Sequence, residues 1–262
     1  MAVSTSGLLE VRDATLSFGA VRALDGVDLV VEQGSVAAVI GPNGAGKTSL
    51  FNAVSGLCPL TSGRILFDGR DLAGLRPDAI ARLGVARTFQ NLDLFPTMTV
   101  VDNVRLGRHT RMRGGLLAGG LGLTRRHEAD HERSVLDVLD LCDLRHVRND
   151  RVANLPYGLQ KRVEIARAVA MEPRLLLLDE PAAGMHAEEK QLVASVVARL
   201  RRHAGVTVLL VEHDVGFVAS LSDSITVLDF GRRIAAGPPG VVLHDDAVRR
   251  AYLGSVATGV PA

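Results

Sequence analysis

The chain has too little excess charge to coat a polyanion: 30 Lys and Arg against 29 Asp and Glu leave a formal net charge of +1 over 262 residues. Nothing in that balance argues for nucleic acid or for a strongly anionic partner. Cysteine is scarce as well. Cys58 and Cys142 stand far apart without ligand spacing, which excludes a disulfide framework and a zinc site and leaves two buried free thiols in a reducing compartment as the expectation. No apolar run approaches the roughly 20 residues that a membrane-spanning helix needs. Residues 1–7 lack the basic start and apolar centre of a secretory signal, so they are expected to be a short disordered lead into a cytoplasmic protein. Repeats of solenoid length, sustained heptads and a second phosphate loop are also missing.

What is present is apolar sequence in short blocks. A hydrophobic content of 47% suffices for one large α/β domain, with or without a helical insertion. Leu8 to Val11, Val27 to Val31 and Val36 to Ile40 read as strands, and a helix is expected from Lys47 to about Ser55, ended by Gly56 and Pro59. Leu175 to Leu178 and Val206 to Val211 are β-prone runs between turns or helical segments, the pattern of a parallel sheet covered on both faces. Between Met98 and Asn154 the character changes to charged helical segments. They are interrupted by a Gly-rich stretch at 114–124 that reads as a surface loop, or alternatively as a contact with a membrane subunit or lipid headgroups.

Gly41, Pro42, Asn43, Gly44, Ala45, Gly46, Lys47 and Thr48 satisfy the pattern G-x-x-x-x-G-K-[ST], followed by Ser49, and lie between an expected strand and an expected helix. Gly44 and Gly46 allow successive backbone N–H groups to turn inward on phosphate oxygens, with the helix N-terminus adding positive potential. Lys47 supplies a cation for the β- and γ-phosphates, and the Thr48 hydroxyl is a ligand for Mg²⁺. The cofactors expected are therefore ATP and Mg²⁺.

Leu175 to Leu178 delivers Asp179 and Glu180 at the C-terminal end of its strand, where open parallel sheets hold ligands. Asp179 suits Mg²⁺ held through water, and Glu180 suits the general base that polarises the attacking water. Leu209 to Glu212 repeats the device and ends on His213, which can donate to the γ-phosphate or orient the water. Gln90 carries an amide able to reach the metal or the attacking water from a loop.

In this order the elements resemble an ABC ATPase over residues 8–253. Leu155, Pro156, Tyr157, Gly158, Leu159 and Gln160, running into a basic helix, resemble the family signature usually written LSGGQ, with Pro and Leu at its second and fifth positions here. The resemblance implies an α/β fold: a P-loop NTPase core of ABC type with an N-terminal antiparallel β-subdomain and a helical subdomain at about 91–172. The domain would span 8–255, with a flexible tail at 256–262. It implies that Phe18 stacks on adenine, an ordinary core aromatic being the alternative, and that residues 181–185 couple two such domains. It also implies that two cassettes close head to tail, so that residues 155–160 bind the partner's nucleotide.

Finer wording is similar to the ATP-binding subunits of bacterial branched-chain amino acid importers, in particular the longer of the paired ATPases. It includes Arg87 to Leu92, Leu94-Phe95, Met98 to Val100, Tyr157, Glu180 to Gly184 and Ala251 to Gly254. Cassettes for urea import or lipopolysaccharide export share parts of it, and a soluble cassette acting on ribosomes or DNA is a further alternative. Implied partners are a second ATPase subunit, transmembrane permease subunits and indirectly a solute-binding protein, at the cytoplasmic face of the membrane. Pro156 offers neither a hydroxyl nor a backbone N–H. The partner's nucleotide, not this chain's own, is therefore expected to be the weakly clasped one.

Overall fold

The computed structural model describes residues 7–89, 92–108 and 124–257. The N-terminal half runs β1 (Leu9–Phe18), β2 (Val21–Val31), β3 (Val36–Ile40), α1 (Lys47–Val54), β4 (Ser62–Phe67), β5 (Arg70–Asp71), α2 (Pro77–Leu83), β6 (Val85–Arg87), α3 (Val100–Gly107) and α4 (Thr124–Leu141). The remainder runs α5 (Tyr157–Val169), β7 (Leu175–Asp179), α6 (Ala187–Ala204), β8 (Thr207–Val211), α7 (Val215–Leu221), β9 (Ser224–Asp229), β10 (Arg232–Gly237), α8 (Pro239–Val242) and α9 (Asp246–Ala257).

Two sheets form among the described residues, one of four strands in the order β2-β1-β4-β5 and one of six in the order β10-β9-β3-β8-β7-β6. The first is antiparallel. In the second, β9, β3, β8, β7 and β6 pair in parallel and only β10 runs against its neighbour. Strands β3, β7 and β8 are buried at every residue. Alternate residues serve opposite cores: Val36, Ala38, Ile40, Leu176, Leu178, Val208 and Leu210 face the helices, while Ala37, Val39, Leu175, Leu177, Leu209 and Val211 face α1 and the antiparallel sheet. Continuous apolar sequence in these strands is thus the requirement of a sheet with no solvent face.

Helices α3, α4 and α5 lie between β6 and β7 in the chain and share the first of these cores through Val100, Val104, Val135, Leu139, Val163 and Ala166. Thr99 caps α3 by accepting from the Asp102 backbone N–H at 3.2 Å. Helices α3 and α5 approach so closely at Gly107 that an added Cβ would lie 2.1 Å from the Arg167 carbonyl oxygen.

Several expectations need correction. Gly7, assigned to a disordered lead, is buried, while residues 1–6 lie outside the described residues. Strand β1 continues past Val11 to Phe18 because register shifts between Val11 and Ser17 absorb the polar stretch, with Asp13 at φ 49°. Cys142 is buried, and burial pushes its thiol up to about 12, but Cys58 is only partly buried. Helix α9 crosses the boundary placed after residue 255. Residues 114–123 of the Gly-rich stretch and 258–262 of the tail lie outside the described residues.

Gly107→Ala should lower stability by about 1–3 kcal/mol through overpacking at the α3–α5 contact. Gly240→Ala, whose added Cβ meets nothing within 4 Å, should be close to neutral. Urea unfolding midpoints of the two variants test this packing, and equal midpoints would contradict it.

Candidate functional site

The parallel register places the ends of β3, β8 and β7 side by side: Val39 pairs with Val211, and Val211 with Asp179. The chain leaves β3 into Gly41 to Gly46, then enters α1 at Lys47. Gly46 at φ 101° is the helix N-cap, and an added Cβ would lie 2.4 Å from the Ala23 carbonyl oxygen, so both conformation and space demand glycine. Lys47 is buried, and its Nζ donates to the Gly41 and Pro42 carbonyl oxygens at 2.7 and 2.8 Å. Burial lowers the Lys47 pKa, opposed by the negative charges of Glu180 and Asp179.

A cavity of about 690 Å³ opens over this loop, lined by Val21, Arg22, Ala23, Asn43, Gly44, Ala45, Gly46, Lys47, Thr48, Ser49, Glu180, His213 and Phe230. Glu180 follows β7 at φ 49°, a backbone conformation that costs a non-glycine residue energy, while its N–H donates to the Val211 carbonyl at 2.9 Å. That placement sets Glu180 Oε1 2.5 Å from His213 Nε2. A carboxylate and an imidazole in contact at the rim of a loop rich in backbone N–H groups can accept and relay a proton beside bound phosphate.

Not every expected site residue lines the cavity. Gly41 and Pro42 act through their carbonyls on Lys47. Phe18 ends β1 opposite Val21, is 53% exposed and stands outside the lining, so it is not a core aromatic. Residues 155–160 stand away from the cavity on their own helix entry. Gln90 lies outside the described residues, although Phe89 before it is held by Glu164 of α5, which accepts from the Phe89 N–H at 3.1 Å.

Asp179 is also outside the lining and is engaged from behind. Arg87, at the end of β6, pairs with Asp179 Oδ2 at 2.9 Å, and the side chains are only 7% and 5% exposed. Arg87 also donates to Asn52 Oδ1 at 2.8 Å and lies over the rings of Phe51 and Phe89. Thr88 adds a second tie, its Oγ1 accepting from the Asp179 N–H at 3.3 Å. Sequence reasoning gave Arg87 no role; a basic residue ending a β-prone triplet, with a buried acid later in the chain, was the available signal.

Glu212 was likewise passed over. Its buried carboxylate accepts from the Ala182 N–H at 2.7 Å and the His213 N–H at 3.1 Å, so one side chain ties the segment after β7 to His213. Burial raises its pKa, partly offset by those two N–H donors.

The entry to α5 accounts for Leu159 and shows what Pro156 does there. Pro156 is the N-cap itself, one position earlier than the first turn, and its carbonyl accepts from the Leu159 and Gln160 N–H groups at 3.0 and 3.1 Å. Leu159 is half-buried against the helical core, so its apolar side chain has a packing partner within this chain. Gly158 is buried with an added Cβ position 2.6 Å from Glu189 Oε1.

The model of the family described as "ABC transporter" matches residues 24–183. The chain is similar to BraF of Pseudomonas aeruginosa, a high-affinity branched-chain amino acid transport ATP-binding protein, with 42% identity over 94% of this chain and 98% of that one. It is 39% identical to LivG of Escherichia coli K12, which carries the same description, over the same shares of both chains. Among solved structures, an ATP-binding cassette of an ABC transporter in its ADP conformation superposes with a TM-score of 0.80 at 28% identity, covering 94% of this chain and 98% of that one. A dimeric cassette in a post-hydrolysis state bound to ADP and Pi gives 0.73 at 25% identity, covering 88% of this chain and 98% of that one.

Arg87→Ala would leave the Asp179 carboxylate buried without its cation, at a cost of about 3–5 kcal/mol. Arg87→Lys should recover part of that loss by keeping the charge while shedding the second contact to Asn52. Chemical unfolding of the three proteins measures the effect; equal stability of Arg87→Ala and the parent would remove the pair from its structural role.

Proposed function

This chain belongs to the ABC transporter family, and from that membership we propose that it is the ATP-hydrolysing subunit of a branched-chain amino acid importer. The observation that carries the enzymatic part is the Glu180–His213 pair at 2.5 Å on the rim of the cavity built by residues 43–49. The likeness to BraF and LivG over nearly the full length of both chains supports the transported class.

Backbone N–H groups of residues 43–48 and the Lys47 cation hold the phosphates of ATP. Glu180 takes a proton from water as the water oxygen bonds to the γ-phosphorus and the bond from that phosphorus to the ADP oxygen breaks. His213 holds Glu180 in position and donates toward the γ-phosphate. Among the described residues no group of three His, Cys, Asp or Glu side chains could hold a metal unaided. The Thr48 hydroxyl and Asp179 carboxylate nevertheless fit Mg²⁺, a hard cation that completes its shell with water and phosphate oxygens. Gln90, outside the described residues, would add its amide oxygen to that set. When bound, the metal neutralises charge on the phosphate oxygens.

The dimeric cassette among the structural relatives supports a second ATPase subunit as partner. Residues 155–160, outside this chain's own cavity, face the nucleotide of a second ATPase subunit, and Phe18 adjoins the base in cis. Among the described residues no helix is long and apolar enough to cross a membrane. In this reading permease subunits provide the path, with this chain peripheral on their cytoplasmic side and a solute-binding protein acting indirectly. Reconstitution with the neighbouring permease subunits tests this: ATP turnover should rise with uptake of leucine, isoleucine or valine, and turnover answering only to another solute class would overturn the assignment.

Glu180→Gln should reduce steady turnover by about 10²–10⁴-fold while leaving an ATP-bound dimer stable on size exclusion; unaltered hydrolysis would remove Glu180 from the role of base. Pro156→Ser has two separable effects. As an N-cap, serine should stabilise the isolated chain by about 0.5–2 kcal/mol. As a hydroxyl donor to the partner's nucleotide, it should raise ATP affinity in the assembled transporter about ten- to a hundredfold. A stability gain with no change in affinity or turnover would sink the interfacial reading.

A further inference from the structure

We propose that Phe230 is a nucleotide-binding residue that contacts the base from the β9–β10 hairpin, beside the β1–β2 hairpin. The inference rests on the nucleotide-binding reading of the cavity and adds to it a contact on the base.

The first observation is strain. Phe230 and Gly231 form the two-residue connection between β9 and β10, with φ of 44° and 78°. Two positive φ values in such a loop are the pattern of a type I′ turn, whose first central position favours Asn, Asp or Gly. A bulky aromatic there is a conformational outlier, and outliers of this kind cluster where a side chain must be aimed at a ligand.

The second observation is exposure at one place. Phe230 is 87% exposed, the most exposed large apolar side chain among the described residues, and it lines the cavity over residues 43–49. Val21, 67% exposed, lines the same cavity from β2, and Phe18, 53% exposed, is its register partner across the β1–β2 hairpin. Apolar side chains from two hairpins thus flank a cavity whose floor is a phosphate loop. A flat, aromatic nucleobase joined to a polyphosphate has the complementary chemistry, since stacking on an aromatic side chain needs only a π-face.

The third observation is that the two hairpins are fastened to each other and to the phosphate loop. Asp25 N–H donates to the Gly231 carbonyl at 2.8 Å, Arg232 Nε donates to Asp25 Oδ2 at 2.6 Å, and Arg22 Nη1 donates to Asp25 Oδ1 at 2.7 Å. The two guanidinium groups hold the Asp25 carboxyl below the usual carboxylate range. Gly231 N–H donates to the Ala45 carbonyl at 3.1 Å, which joins the turn to the loop itself. The backbone at Phe230 is therefore set relative to the phosphate loop before a base arrives, which lowers the ordering cost of contacting it.

The test uses the full chain, with ADP and inorganic tripolyphosphate as the two probes and calorimetric dissociation constants as the readout. Phe230→Asn places a residue suited to the turn, so the variant should fold at least as stably as the parent. Its ADP dissociation constant should rise about tenfold with that of tripolyphosphate unchanged, and Phe230→Trp should bind ADP as tightly as the parent or more so. Unchanged ADP affinity in Phe230→Asn would overturn the proposal, as it would if the aromatic faced another protein instead. Equal weakening of both probes would also overturn it, because the turn would then act through Ala45 on the phosphate loop. A parent chain that binds neither probe would instead refute the nucleotide reading on which the proposal rests.

Discussion

Burial of the parallel strands on both faces is the constraint on which the remainder of the structure depends. Strands β3, β7 and β8 have no solvent face, so polar chemistry can leave them only at their ends. Because they run in the same direction, those ends coincide, and β8 lies between β3 and β7. Adjacent strands are about 4.8 Å apart, which puts the phosphate loop, Glu180 and His213 within a span matched to a polyphosphate. Segments far apart in sequence are thereby brought to one cavity without any long-range side-chain code. The same apolar strands that satisfy the two cores determine where the reactive groups emerge.

Polar groups that must lie inside this arrangement are each tied down. Arg87 and Thr88 of one short segment hold Asp179 by its carboxylate and its N–H. Glu164 holds Phe89, and Glu212 joins Ala182 to His213. Burial opposes the charge on Glu164 and Glu212, and the N–H donors and Lys161 offset that cost in part. A displacement of α5 relative to the sheet must therefore either carry Phe89 with it or break the Phe89–Glu164 hydrogen bond. The segment after β7 and the residue after β8 are similarly one unit. These ties give Arg87, Thr88 and Phe89 a mechanical connection to both α5 and β7.

The parts legible in the sequence were those written locally. Gly41 to Thr48 carries its own turn geometry, and four leucines before Asp179 announce a buried strand with an acid at its end. Val36 to Ile40 was read to its observed bounds for the same reason. Only the first residues of β1 show in the sequence, because the irregular pairing around Asp13 depends on β2 and β4, which no local pattern reveals. Arg87, Glu212 and Asp25 were missed on similar grounds: their partners are 92, 30 and 207 residues away, or are backbone N–H groups, and a side chain's distant partner leaves no period in the sequence. Phe230 was silent because strain is a property of φ, not of composition.

The two departures from the signature wording separate on physical grounds. Leu159 has a structural cause in this chain, since its side chain packs on the helical core, so its loss of polarity is compensated before any partner is considered. Pro156 has only half of one. Its carbonyl serves the first turn of α5, and a proline N-cap leaves that acceptor intact, but any residue would supply a carbonyl there. What proline lacks is an N–H and a hydroxyl; Pro156 is exposed and makes no side-chain cap hydrogen bond to α5. The two positions therefore differ in kind: Leu159 is accounted for by packing within this chain, whereas Pro156 forgoes the side-chain cap that serine would give α5. Neither lines the cavity formed by Lys47, Glu180 and His213.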